Sequence, residues 1–298
     1  MSVPAERADA GAQAFSLRCP DGRELAANWI RAPQRRAVLV INAATGFPQT
    51  FYFRLANYAA ARGYDTLVYD YRGMGASAPA DLATESCRMS DWGLQDMRAA
   101  LAAAAEQAGD SPVATLGHSV GGQFLGFLTN YALARVHVQI ASSVGYWPWE
   151  QAPFRYLAWW FWRVHGPLML ALKGYVPTGG GWAGLPLPRG VFEEWRRWCL
   201  RPGHFGPDLE SYLGDNVFEE IRAPVLNIAF TDDPIATRRT VEALYRFYPN
   251  VVRESRWYSP ADVGGMRIGH EGFFASRHRD TLWRPVIDWL DSRLGIAS

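Results

Sequence analysis

The run Gly117-His118-Ser119-Val120-Gly121-Gly122 follows an apolar stretch and precedes a helical pattern. A serine on a sharp strand-to-helix turn holds a strained backbone, so the residues two positions away on either side must be small. Gly117 and Gly121 meet that need. Such a turn lifts the serine hydroxyl to the carboxyl edge of a sheet, where ligands bind in open α/β folds. The helix N-terminus beneath it favours developing negative charge. The chemistry expected of Ser119 is therefore attack on a carbonyl. The competing reading is a glycine-rich turn with a capping serine.

A serine hydroxyl is a weak nucleophile without a base. His270, in Ile268-Gly269-His270-Glu271-Gly272, sits on a glycine-flanked loop late in the chain and is the expected base. His278, in the charged stretch SRHRD, is its rival and is expected to be a solvated surface residue. His118 is expected to pack beside the turn. The base needs a carboxylate to fix its tautomer and to stabilise the imidazolium. Thr231-Asp232-Asp233-Pro234 directly follows an apolar stretch, and the order Ser, Asp, His fits this arrangement. Asp233, at the start of the turn, is favoured over Asp232. Backbone amides must hold the oxyanion. Val120 supplies one as the residue after the nucleophile. The second is placed, to within one position, at Ala44 in the small-residue loop Asn42-Ala43-Ala44-Thr45-Gly46.

These groups need a scaffold. Short Val/Ile/Leu runs at 37–41, 66–69, 113–116, 136–142 and 224–230 read as buried strands, and 251–258 as a further strand. Helical patterns at 50–62, 91–108, 119–133, 237–247 and 285–294 alternate with them, with Asp91 as a candidate N-cap. Buried strands separated by helices imply an α/β fold, a mostly parallel sheet with helices on both faces. Residues 14–18 and 24–30, joined at Asp21-Gly22, read as an antiparallel hairpin at the sheet edge. The segment Asp70-Tyr71-Arg72-Gly73 through Ser77 reads as a turn locked by hydrogen bonds.

The alternation stops between the fourth and fifth buried strands. Residues 1–143 and 219–298 are expected to form the core, and 144–218 a Trp-rich cap laid over the sheet. Of the 13 Trp in the chain, eight lie between residues 147 and 198. Trp147, Trp159 and Trp160 are the candidates to line a substrate pocket. The stretch 156–176 is nearly apolar, and a spanning helix needs about 20 such residues. Arg163, His165 and Lys173 interrupt it and Gly166-Pro167 divides it, so no membrane span is expected; burial against the protein is the first reading and a monotopic membrane contact the alternative.

The 298 residues carry 30 Lys+Arg against 29 Asp+Glu, a net charge of +1, which makes no electrostatic case for nucleic acid. Cys19, Cys87 and Cys199 are widely spaced, form neither a disulfide framework nor a metal motif, and fit a reducing, cytoplasmic compartment. The opening residues carry acids and no apolar run, so no secretory leader is expected. No metal and no organic cofactor are implied.

Taken together, the GHSVGG turn, DYRGMGAS, the TDDP acid loop and the late Gly-His step resemble the α/β-hydrolase superfamily. INAATG, SDWGLQD, GHSVGGQ and IGHEGFF resemble bacterial hydrolases related to the serine aminopeptidase-like branch. The resemblance implies Ser119 as nucleophile, Asp233 as acid and His270 as base. Many members carry His-Gly where this chain has Asn42-Ala43. The expected function is a serine hydrolase working through an acyl-enzyme on a small-molecule ester or thioester of moderately apolar character. The alternatives are an amidase or aminopeptidase, an acyltransferase with the same triad, and a non-catalytic ligand-binding member of the fold.

Overall fold

The structure, a computed structural model, describes residues 11–296. The first ten residues, on which the expectation about a leader largely rests, lie outside that range. The strands are β1 (Ala12–Arg18), β2 (Glu24–Ile30), β3 (Ala37–Asn42), β4 (Tyr64–Tyr69), β5 (Val113–His118), β6 (Val136–Ile140), β7 (Tyr175–Val176), β8 (Leu187–Pro188), β9 (Pro224–Phe230) and β10 (Val252–Tyr258). Eight of them form one sheet in the order β1-β2-β4-β3-β5-β6-β9-β10. From β4 to β10 every pairing is parallel, and β2 runs antiparallel to both its neighbours. Every residue of β3, β4, β5 and β6 is buried, so both faces of the sheet centre are covered. This is why residues 37–41 of β3 read as an unbroken apolar run rather than as an alternating pattern. The β1–β2 hairpin forms the sheet edge around Asp21-Gly22, as its sequence predicts.

The helix expected over 119–133 is not continuous. One α-turn, Val120–Gln123, gives way to 3₁₀ turns at Phe124–Phe127 and Tyr131–Leu133. The backbone groups that a longer helix would pair within itself are taken from outside. Tyr248 Oη accepts from the Gly126 amide, the Gly126 carbonyl accepts from the Val217 amide, and Arg98 Nε donates to the Phe127 carbonyl. The helix expected from Asp91 starts earlier, at Met89. Asp91 is inside it, and its carboxylate reaches back to the Arg88 amide at 2.8 Å. The Asp70 turn is locked as expected. Asp70 accepts from the Gln49 amide, Gln49 Nε2 and the Ala76 amide, and Arg72 binds the buried Asp96 at 2.7 Å.

Between β6 and β9 lie the helices Phe154–Trp160, Gly166–Lys173, Arg189–Cys199 and Gly206–Leu209, with the short β7–β8 pair. The apolar stretch 156–176 is only half buried. Phe161, Trp162 and Leu170 pack inward, while Tyr156, Trp159, Trp160, Leu168 and Leu172 are exposed. Among the described residues no helix is long and apolar enough to cross a membrane.

Candidate active site

Ser119 sits between β5 and the turn Val120–Gln123, with φ +52° and ψ −114°. Positive φ is rare and strained for a residue with a Cβ. The surroundings hold it there. Its amide donates to the Ile140 carbonyl, and its own carbonyl accepts from the Gly122 and Gln123 amides. The flanking glycines are sterically required. A Cβ at Gly117 would collide with the Gly121 carbonyl, and one at Gly121 with the carbonyl of Asn42 on β3.

Three distant residues meet at this turn. His270 Nε2 lies 3.0 Å from Ser119 Oγ, and His270 Nδ1 lies 2.8 Å from Asp233 Oδ2. Asp233 follows β9 and is fully buried. Its Oδ1 accepts from the Ile235 and Ala236 amides, so one oxygen fixes the turn and the other faces the imidazole. Asp232 does not reach His270. It accepts from the Ile268 amide at 2.9 Å and ties down the loop that carries the imidazole. Burial alone would lower the His270 pKa. The charge and hydrogen bond of Asp233, with the charge of Glu271, outweigh burial and raise it. His278 is buried rather than solvated, and its Nε2 accepts from Arg277 Nε. The charged letters around it hide that its ring is enclosed.

His118 links two loops. Its Nε2 lies 2.9 Å from the His270 carbonyl, and its Nδ1 lies 3.0 Å from Tyr52 Oη. A carbonyl only accepts, so Nε2 is assigned the proton. Burial and the neighbouring His270 keep the ring well below its usual pKa despite that bond, so it stays neutral and Nδ1 accepts from the tyrosine hydroxyl. Tyr52 Oη in turn accepts from the Ala44 amide at 2.8 Å.

That last bond corrects one expectation. The Ala44 amide is committed to Tyr52 and is not free for an oxyanion. The next amide, Thr45, makes no hydrogen bond among the described residues, and neither does that of Val120. Thr45, Val120 and Ser119 line the same cavity. The hydroxyl of a tyrosine eight positions along is what moves the free donor from Ala44 to Thr45.

The cavity walls correct a second expectation. Trp147, Trp159 and Trp160 do not line it, whereas Phe161, Trp162, Trp182 and Trp195 do. Trp159 and Trp160 point to the outside of their helix, and Trp160 Nε1 donates to the Gly180 carbonyl there. Residues 154, 157, 158, 161 and 162 share the inward face, as a 3.6-residue repeat requires. Helical phase is the signal that separates 161–162 from 159–160. Glu150 also lines the cavity, and nothing in its sequence context marks it. Burial, and then the charge of Asp233, push its carboxyl well above the ordinary value. Among the described residues no cluster of three or more His, Cys, Asp or Glu is arranged to hold a metal ion.

The family model described as serine aminopeptidase, S33, matches residues 33–175, from just before β3 to β7. No curated protein sequence matches the chain. Among solved structures, the chain is similar to a soluble variant of monoglyceride lipase from Saccharomyces cerevisiae. That match has 15% identity, covers 98% of this chain and 99% of the other, and has a TM-score of 0.68. A thermostable carboxyl esterase from Bacillus coagulans matches at 15% identity over 96% of this chain and 100% of that one, TM-score 0.59. Dipeptidyl peptidase 4 from Porphyromonas gingivalis matches at 14% identity over 94% of this chain and 35% of that one, TM-score 0.59. At such identities the likeness is one of fold.

Proposed function

We propose that the chain is a serine hydrolase of the α/β-hydrolase superfamily that cleaves a small-molecule ester or thioester through an acyl-enzyme, a reading supported by the family match over residues 33–175 and by the fold. The observation that carries this reading is the unbroken chain from Ser119 Oγ through the His270 ring to Asp233, at 3.0 and 2.8 Å. Ser119 Oγ attacks the substrate carbonyl carbon, and its proton passes to His270 Nε2. Asp233 keeps Nδ1 protonated and stabilises the imidazolium. The amides of Val120 and Thr45 hold the oxyanion. As the carbonyl re-forms, the alcohol leaves with the proton from His270. Water then repeats the sequence, with His270 as base, and releases the acid.

Residues 144–218 are read as a cap over Ser119, with 1–143 and 219–298 as the core. The aromatic walls of Phe161, Trp162, Trp182 and Trp195 favour a substrate with an apolar body. The test is a series of p-nitrophenyl esters of rising acyl length, run on the wild type, Ser119→Ala and Asp233→Asn. The reading expects a chain-length optimum in the wild type. It also expects loss of nearly all turnover in Ser119→Ala, with an unchanged melting temperature. Full turnover in Ser119→Ala would overturn it.

A further inference from the structure

The free amide of Thr45 sits on a turn with little of its own to brace it. The Phe47 amide donates to the Ala44 carbonyl at 3.3 Å and closes the turn 44–47. Gly46, inside that turn, has φ +84° and no side chain to wedge it in place. Two contacts pin the turn from outside. At its start the Ala44 amide donates to Tyr52 Oη, as described above. At its end the Gly46 carbonyl accepts from the Leu185 amide at 2.8 Å. Leu185 belongs to the segment between β6 and β9, far along the chain. The Thr45 amide lies between the two anchors, one from the sheet side and one from residues 144–218.

The second anchor is a close backbone clasp. A Cβ on Gly46 would collide with the Trp182 indole and lie 2.9 Å from Gly184 Cα. A Cβ on Gly184 would collide with the same indole and lie 2.9 Å from Gly46 Cα. The loop that carries Leu185 is closed on itself. Gly179 and Trp182 exchange backbone hydrogen bonds at 2.7 and 2.9 Å, and Thr178 Oγ1 donates to the Gly184 carbonyl at 2.6 Å. Trp182 Nε1 donates to the Leu185 carbonyl at 2.7 Å. Leu185 therefore offers its amide to Gly46 from a fixed frame. Trp182 also lines the cavity that holds Ser119 and Thr45, with Phe161 stacked on it at 5.5 Å and Trp195 against it at 5.6 Å. One indole thus faces the cavity and packs against the turn that carries the Thr45 amide.

We infer that Trp182 and Leu185 are positioning residues, which set the Thr45 amide for the oxyanion from the far side of the cavity. The fit of a substrate against the indole is then felt in the chemical step and not only in binding. The inference deepens the hydrolase reading and rests on it. A donor that strengthens its bond only in the transition state raises kcat, and its displacement lowers kcat while sparing KM. A misplacement of about 1 Å can cost about 10²-fold. The coupling is reciprocal: a clasp that favours the bound oxyanion is itself favoured by it, to the same factor.

The test uses Gly184→Ala, at a position that does not line the cavity. Its methyl forces either the indole or the Gly46 backbone to move. With p-nitrophenyl acetate, kcat should fall by about 10- to 100-fold while KM changes by less than about twofold. A folded variant with unchanged kcat, or with a raised KM alone, overturns the inference. A second measurement needs no variant. Hydrogen exchange of the Leu185 amide is followed in the wild type, free and with Ser119 phosphonylated by a fluorophosphonate. Exchange should slow by about tenfold once the phosphonyl oxygen takes the oxyanion position. Unchanged or faster exchange overturns the inference. Failure of the hydrolase reading shows separately, in the wild type itself: no turnover and no adduct on Ser119 overturns that reading and the inference with it. An active wild type matched in kcat by folded Gly184→Ala overturns the inference alone.

Discussion

The carbonyl of His270 accepts from Nε2 of His118 at 2.9 Å, while the His270 ring turns to Ser119 at 3.0 Å. The residue beside the proposed nucleophile thus holds the backbone of the proposed base. Through Tyr52 it also holds the loop that carries the Thr45 amide. In the proposed mechanism, one neutral imidazole sets the spacing of both groups around the reacting carbonyl.

Removing the tyrosine hydroxyl tests that link. Tyr52→Phe strands the buried Ala44 amide and leaves His118 Nδ1 without a donor. A buried polar group left unpaired costs about 1–3 kcal/mol. Urea unfolding should show a loss of that order. The fall in kcat should exceed the change in KM, because the loosened loop carries the proposed oxyanion donor rather than a ground-state contact. Unchanged stability together with unchanged kcat would contradict the link.

Gly121→Ala tests the packing of the turn. The added methyl meets the Asn42 carbonyl on β3, and backbone cannot yield as a flexible side chain does. Overpacking of this kind costs about 1–3 kcal/mol. Thermal unfolding should register it. Gly109→Ala is the control for open surroundings, since no atom lies near the added Cβ, although its φ of +56° carries a strain of its own. A Gly121→Ala protein as stable as the wild type would refute the close approach.

The pH profile follows from His270. In the proposed mechanism the base works as neutral imidazole, and Asp233 raises its pKa above the usual 6.5. Activity should therefore rise with pH through a midpoint above 6.5 and be lost as pH falls through it. Asp233→Asn removes the charge that opposes burial. The midpoint should then move down while kcat falls by about 10⁴, the scale seen where such an acid is neutralised. A midpoint unmoved by Asp233→Asn would show that the carboxylate does not act on the ring.

Glu150 gives a stability signature of opposite sense to a paired acid. Its carboxyl ionises near 4.5 when unfolded and well above that when folded. Unfolding therefore releases a proton, and stability falls as pH rises from the unfolded value toward the folded one. Glu150→Gln carries no such penalty. Its melting temperature should exceed that of the wild type at pH 8, and the gap should close at pH 4. A wild type more stable than Glu150→Gln at pH 8 would mean that the carboxyl has a partner.

What could be read from the sequence was local. The apolar run of β3 reflects a sheet covered on both faces, and the turn around Ser119 announces itself through Gly117 and Gly121. Asp233 and His270 could be placed because each follows a strand at the same sheet edge. What failed depended on distant groups. The Tyr52 hydroxyl that takes the Ala44 amide is not visible in a loop of small residues. The helix after Ser119 breaks because Tyr248, Val217 and Arg98 claim its backbone groups. Trp159 and Trp160 differ from Trp162 only in helical phase, and the cap sequence gives no outside reference for it. Glu150 follows Trp147-Pro148-Trp149 in a stretch with no helical or strand period, and only the fold shows that its carboxyl is enclosed.

The account turns on one atom, the hydroxyl oxygen of Ser119. The direct measurement is the intact mass, with peptide mapping, of the folded protein after treatment with a fluorophosphonate. The account predicts a single stoichiometric adduct on Ser119, absent in Ser119→Ala and strongly slowed in His270→Ala. No adduct on the folded wild type, or an adduct on another residue that persists in Ser119→Ala, would contradict it.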